Sequence, residues 1–150
     1  MSARRRIVLL GRAGAGKSTL ARRIGAAADV PVICLDSLWP PDRGAMDVPH
    51  FRALVMAAHA GEAWVSDGNF AQASFDLRLP RADLVVWVEA PRLVCSWRAI
   101  VRVLRPGEAH RPRGLFNALR FIWRFDRVNR PRIVALLAAY GPGVPTRSEE

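Results

Sequence analysis

The chain has 150 residues, 51% hydrophobic and 24% charged, an ordinary globular balance with room for one core. Its formal net charge of +10 points to anionic partners. No apolar run approaches the ~20 residues of a membrane span, so no membrane partner is expected.

In chain order, the basic start at Arg4, Arg5 and Arg6 precedes only four apolar residues before Gly11. That is too short for a secretory core, so Ile7-Val8-Leu9-Leu10 is a first buried strand and the location is cytoplasmic. Gly11-Arg-Ala-Gly-Ala-Gly-Lys-Ser18 follows and fits G-x-x-x-x-G-K-[ST]. Such a loop turns its backbone N–H groups, and the positive end of the next helix, toward a polyphosphate. Gly11, Arg12, Ala13, Gly14, Ala15, Gly16, Lys17, Ser18 and Thr19 are therefore the candidate nucleotide-binding residues. Lys17 would bridge the β- and γ-phosphates, and Ser18 would offer its hydroxyl to Mg²⁺. Lys17 is also the one lysine beside 22 arginines, as expected where a guanidinium is too bulky.

The helix after the loop has Leu20, Ile24 and Ala27 at helical spacing. Val32-Ile33-Cys34-Leu35 is a second strand, ending at Asp36, and the Pro- and Gly-rich stretch 39–49 is an irregular connection. A helix over about 49–60 would turn Phe51, Leu54, Val55 and Ala58 inward; Ala63-Trp64-Val65-Ser66 is a third strand ending at Asp67-Gly68-Asn69. Residues 70–83 carry no clear pattern, and 84–89 is the clearest strand. A helix from Pro91 to about Leu104 would bury Leu93, Trp97, Ile100 and Leu104, leaving Arg98, Arg102 and Arg105 on another face. A Pro/Gly/Arg segment at about 105–114 is lid-like; helical stretches follow at about 115–125 and 130–140, where Phe116, Leu119, Ile122 and Trp123 read as core. The tail 141–150 reads as frayed. Strands alternating with helices give one α/β domain with a parallel sheet.

Ligands of open parallel sheets bind beyond the carboxyl ends of the strands. The glycine loop, Asp36 and Asp67 all fall there. Asp67 is either the carboxylate that holds Mg²⁺, usually through water, or a turn aspartate bonding its own backbone. Asp36 either addresses the acceptor, as ligand or general base, or serves an N-cap or Asx-turn. Arg98, Arg102 and Arg105 would neutralise charge on a transferred phosphoryl group, or form a solvated basic face. Arg111 and Arg113 suit a lid that excludes water. Residues 92–132 hold eleven arginines against Glu108 and Asp126. Cys34 and Cys95 read as reduced core thiols, and the three histidines show no metal-ligand spacing.

Gly11 to Ile24, the strand end at Asp36, Trp64-Val-Ser-Asp-Gly-Asn69 and Leu79-Pro-Arg-Ala-Asp-Leu-Val-Val-Trp-Val-Glu-Ala-Pro91 resemble the adenylate-kinase-like small P-loop kinases. Among these they are most similar to the group labelled DNA topology modulation proteins. The resemblance implies a three-layer α/β/α fold of strand order 2-3-1-4-5, with a lid after the helix that follows strand four. It matches Asp67 to the aspartate of the D-G-[FY]-P-R segment of adenylate kinases, and Arg98 and Arg102 to two arginines near the adenine and phosphates. The arginine that holds a monophosphate in adenylate kinases is Ala71 here, with Arg43, Arg52 or Arg78 as substitutes. Val144 and Thr146 are poor strand residues, so the expected sheet is 2-3-1-4, with the fifth strand absent or supplied by a partner, for instance in a homodimer.

The expected activity is Mg-ATP-dependent phosphoryl transfer to a small molecule or nucleotide, with Lys17, Asp36, Arg98 and Arg102 as catalytic residues and Ser18 and Asp67 as metal ligands. The alternative is an ATP-binding, nucleic-acid-associated or regulatory protein, which the charge would serve. No base-reading motif separates ATP from GTP.

Overall fold

Ile7, Val8, Leu9 and Leu10 are all buried, because their strand lies in the middle of a sheet covered on both faces. The computed structural model describes residues 5–39, 47–105 and 112–149. Its elements run β1 (Arg6–Gly11), α1 (Lys17–Ala28), β2 (Val32–Cys34), α2 (Val48–Ala58), β3 (Trp64–Asp67), α3 (Ala71–Arg78), β4 (Leu84–Val88), α4 (Arg92–Leu104), α5 (Pro112–Arg124), a π-helical turn (Phe125–Asn129), α6 (Arg130–Tyr140) and β5 (Thr146–Glu149). The five strands are parallel, in the order β2-β3-β1-β4-β5.

Alternation along the strands sorts side chains into two layers. Ile7, Leu9, Val65, Val86 and Val88 meet Ala21 of α1, Cys95 of α4 and Ile122 of α5. On the other face, Val8, Leu10, Trp64, Val85 and Trp87 meet Phe75 of α3, Phe125 of the π-helical turn and Ile133 of α6. A third cluster of Leu35, Phe51 and Val55 closes the β2 end.

Register aligns the strand ends. Cys34 stands beside Asp67, Leu9 beside Asp67, and Gly11 beside Val88. The turns after β1, β2, β3 and β4 therefore open on one edge of the sheet.

Four expectations are corrected. The tail is not frayed over its whole length: Thr146–Glu149 forms β5 along β4, begun by Val85 N–H donating to the Pro145 carbonyl at 2.9 Å. Thr146, Arg147 and Ser148 are exposed, and an edge strand needs only backbone pairing, so polar residues serve where an inner strand would fail. The chain thus fills the position beyond β4 that a partner was expected to take. Residues 70–83 are largely helical, in α3 and a 3-10 turn at Leu79–Arg81. The face of α4 expected to be buried is outward: Leu93, Trp97 and Leu104 are 72%, 66% and 76% exposed. Phe116 and Trp123 are likewise exposed, and of that set only Ile122 is buried. Helix α4 instead meets the sheet through Cys95 and Ala99, which allow close approach. Arg43 and Arg111, and the lid-like segment except Arg105 and the start of α5, lie outside the described residues.

Candidate functional site

The turn after β1 leaves no room for a side chain at Gly11 or Gly14. A Cβ on Gly11 would lie 2.2 Å from the Val88 carbonyl oxygen, and Gly11 has φ +144. One on Gly14 would lie 2.8 Å from the Cys95 carbonyl oxygen, at φ +77. Neighbouring backbone at β4 and α4 thus fixes the loop's course, and α1 begins at Lys17.

Lys17 Nζ donates to the carbonyls of Gly11 at 3.0 Å and Arg12 at 2.8 Å, folding over the loop's mouth. Burial lowers its pKa, and the carboxylates of Asp67 and Asp36 oppose that shift. Ser18 Oγ donates to Asp67 Oδ2 at 2.6 Å. A hydroxyl and a carboxylate in contact at the end of α1 and β3 are hard oxygen donors of the kind Mg²⁺ takes. Among the described residues no group of three His, Cys, Asp or Glu forms a metal site by itself, so phosphate oxygens would complete the shell. Asp36 is exposed on the 3-10 turn Leu35–Leu38 after β2, and Arg102 faces Lys17 closely enough to lower its pKa further. Arg98 Nη1 donates to the Gly14 carbonyl at 3.0 Å. Thr19 is exposed in the first turn of α1, Ala15 is buried, and Ala13 packs on the core. Arg12 contributes only backbone to the loop's mouth, because its side chain turns away to Asp126.

Sequence reading missed the support beneath these residues. Asn69 clamps the loop: its Oδ1 accepts from Gly11 N–H at 3.0 Å, and its Nδ2 donates to the Gly11 carbonyl at 2.7 Å. Under that turn lies Arg78, fully buried. It donates to Ser66 Oγ at 3.0 Å, Ser74 Oγ at 3.1 Å and the Gly68 and Asn69 carbonyls. Burial pushes its pKa down to about 9, against the pull of Asp67. His59 completes the chain. Its Nδ1 lies 2.7 Å from the Val55 carbonyl and must donate, so its Nε2 accepts from Ser66 Oγ at 2.8 Å. Burial lowers the imidazole's pKa to about 4, so it is neutral at pH 7. Arg52, offered as a monophosphate ligand, instead holds Asp76 at 2.6 Å, and Arg78 is spent on the turn.

On the β4 side, Asp126 of the π-helical turn accepts from Arg12 at 2.7 Å and Arg92 at 2.7 Å, and these bonds hold its carboxyl below the usual range. Its signal was available: it is one of two acids among eleven arginines in residues 92–132. A cleft of about 430 Å³ opens here, lined by Arg12, Arg98 and Arg130 with Trp87, Val94 and Phe125. It borders the loop on the side away from Asp36.

No protein-family model and no curated protein matches the chain. Solved structures do. A shikimate kinase from Acinetobacter baumannii in complex with shikimate is 17% identical, with 99% of this chain and 85% of that chain covered and a TM-score of 0.60. A shikimate kinase from Bacteroides thetaiotaomicron is 22% identical, with 88% and 83% covered and a TM-score of 0.63. A gluconokinase from Sinorhizobium meliloti 1021 is 20% identical, with 89% and 92% covered and a TM-score of 0.51. None of these three carries the DNA topology modulation label of the narrower resemblance. The chain has the P-loop kinase fold of these proteins: a five-stranded parallel sheet, helices on both sides, and a phosphate-loop sequence after its central strand.

Proposed function

We infer that the protein is a cytoplasmic, Mg-ATP-dependent kinase that phosphorylates a small hydroxyl-bearing molecule. One observation carries the reading: Ser18 Oγ meets Asp67 Oδ2 at 2.6 Å beside the Lys17 ammonium, at the open edge of the sheet. A P-loop needs that trio to hold a metal-bound triphosphate. The structural neighbours, two shikimate kinases and a gluconokinase, support a small-molecule acceptor. The two free cysteines suit a reducing compartment.

Loop amides and Lys17 orient the β- and γ-phosphates, and Lys17 leaves its two carbonyl partners to do so. Ser18 and Asp67 would hold Mg²⁺, which supplies charge neutralisation at the phosphates. The β4-side cleft takes the nucleotide base, and the acceptor lies near Asp36. Asp36 accepts the hydroxyl proton as the acceptor oxygen attacks the γ-phosphorus; the bond to the β-phosphate oxygen breaks and ADP leaves. Arg98 and Arg102 neutralise charge on the phosphoryl group in transit. With Arg52 and Arg78 committed elsewhere and Ala71 lacking a charge, a nucleoside monophosphate is the less suited acceptor.

ATP labelled at the γ-phosphate, incubated with Mg²⁺, the protein and a metabolite extract, tests the reading. Label on an organic phosphate with wild type and not with Lys17→Ala is expected. Label found only as inorganic phosphate, or unmoved, removes the kinase reading and favours ATP as a switch.

A further inference from the structure

Helix α4 is amphipathic in the wrong sense for a helix that only covers a core. Its small residues Cys95 and Ala99 face the sheet, while Leu93, Trp97 and Leu104, at i, i+4 and i+11, face away and are 72%, 66% and 76% exposed. Helix α5 packs beside it and extends the apolar strip with Phe116 and Trp123. Arg92 lies over the Trp123 ring, 5.8 Å from its centroid, which places Trp123 at the junction of the two helices. Isolated apolar residues on a surface need no explanation, but five large ones on two adjoining helices do.

The charges that α4 and α5 themselves carry are of one sign. The 26 residues of α4 and α5 include no Asp or Glu. Arg105 is exposed at the end of α4 and Arg120 and Arg124 are exposed on α5, while Arg98 and Arg102 turn to the phosphate loop. Among the described residues, the acid that follows α5, Asp126, is turned inward onto Arg12 and Arg92.

We propose that this α4–α5 face is a docking surface for an anionic lipid bilayer. Leucine, phenylalanine and tryptophan on one face, with arginines at its margins, is the pattern of a helix that lies in a membrane interface. Tryptophan in particular favours the headgroup level. The arginines gain from anionic headgroups, each by an amount that salt screens. A second copy fits worse, since a two-fold pairing sets the same arginine margins against each other with no acid on α4 or α5 to answer them. Nucleic acid would use the arginines and leave Leu93 and Leu104 without a role. Attachment here leaves the open edge of the sheet free, because the strip lies on the face of α4 away from the strands. The expectation of no membrane partner, drawn from the lack of a long apolar run, addresses spanning and not surface attachment.

Cosedimentation of the full chain with vesicles of equal parts phosphatidylglycerol and phosphatidylcholine tests the proposal, with pure phosphatidylcholine as reference. Wild type should pellet with the anionic vesicles and release as salt rises. Trp97→Gln with Leu104→Gln should weaken binding about tenfold or more at unchanged Tm, because both side chains are exposed. Arg120→Gln with Arg124→Gln should weaken it several-fold and flatten the salt dependence. Wild type left in the supernatant overturns the proposal, as does vesicle binding indifferent to the Trp97 and Leu104 changes. A concentration-dependent dimer, or DNA retention, abolished by those changes in the absence of any vesicle binding replaces it.

Discussion

The two sides of the phosphate loop are built on opposite principles. On the β3 side the polar side chains beneath the loop are buried and joined: His59, Ser66 and Arg78 form one chain of hydrogen bonds that ends on the Gly68 and Asn69 carbonyls. On the β4 side the charges lie nearer the surface and arginines outnumber acids, with Asp126, 27% exposed, shared between Arg12 and the 40% exposed Arg92. Buried, satisfied networks fix one geometry, and leaving one partner out is expensive. Exposed ion pairs contribute little and rearrange cheaply. The β3 side therefore suits holding Asp67 and the loop still, and the β4 side suits admitting and releasing a charged ligand.

Substitutions should separate the two sides. Arg78→Met leaves Ser66 with His59 as its remaining partner and takes the guanidinium donors from the Gly68 and Asn69 carbonyls, and should cost about 3 kcal/mol or more, read as a fall in the denaturation midpoint. A loss below 1 kcal/mol would show that the network is not what fixes the turn.

The next effect is a pH dependence. Burial lowers the folded His59 pKa from 6.5 to about 4, so between those values the unfolded chain binds the extra proton. Stability contributed by the neutral imidazole is full above about pH 6.5 and is lost as pH falls toward 4, by about 3 kcal/mol at most. His59→Gln should be less stable at pH 7 and flatter across this window; an unchanged slope would assign the dependence to other groups.

Asn69→Ala removes both clamps on Gly11 and should cost about 1–2 kcal/mol, with weaker nucleotide binding as the accompanying sign. Smallest of all, Trp97→Gln on the outward face of α4 should change stability by no more than about 0.5 kcal/mol. A larger loss would mean that the strip is internal to the fold.

The same contrast explains what the sequence reveals. The glycine loop, its flanking strand and helix, and Asp67 at the end of β3 are local patterns, and each lies where its pattern implies. Strand β5 was hidden because an edge strand with exposed Thr146, Arg147 and Ser148 has no apolar alternation to show. Helix α4 shows a strong periodicity, but periodicity gives the stripe and not its direction; small Cys95 and Ala99 decided which face met the sheet. The His59–Ser66–Arg78 chain joins a helix end, a strand and another helix, so no spacing announces it. Asp126 was legible only as an oddity, an acid among arginines.

The most direct test of the account is calorimetric titration of Mg·ATP into the wild type, Lys17→Ala and Asp67→Asn proteins. Saturable, Mg²⁺-dependent binding by the wild type is expected, weakened about a hundredfold or more in Lys17→Ala at unchanged Tm and lowered in its Mg²⁺ dependence by Asp67→Asn. Equal binding by all three proteins, or none by the wild type, would contradict it.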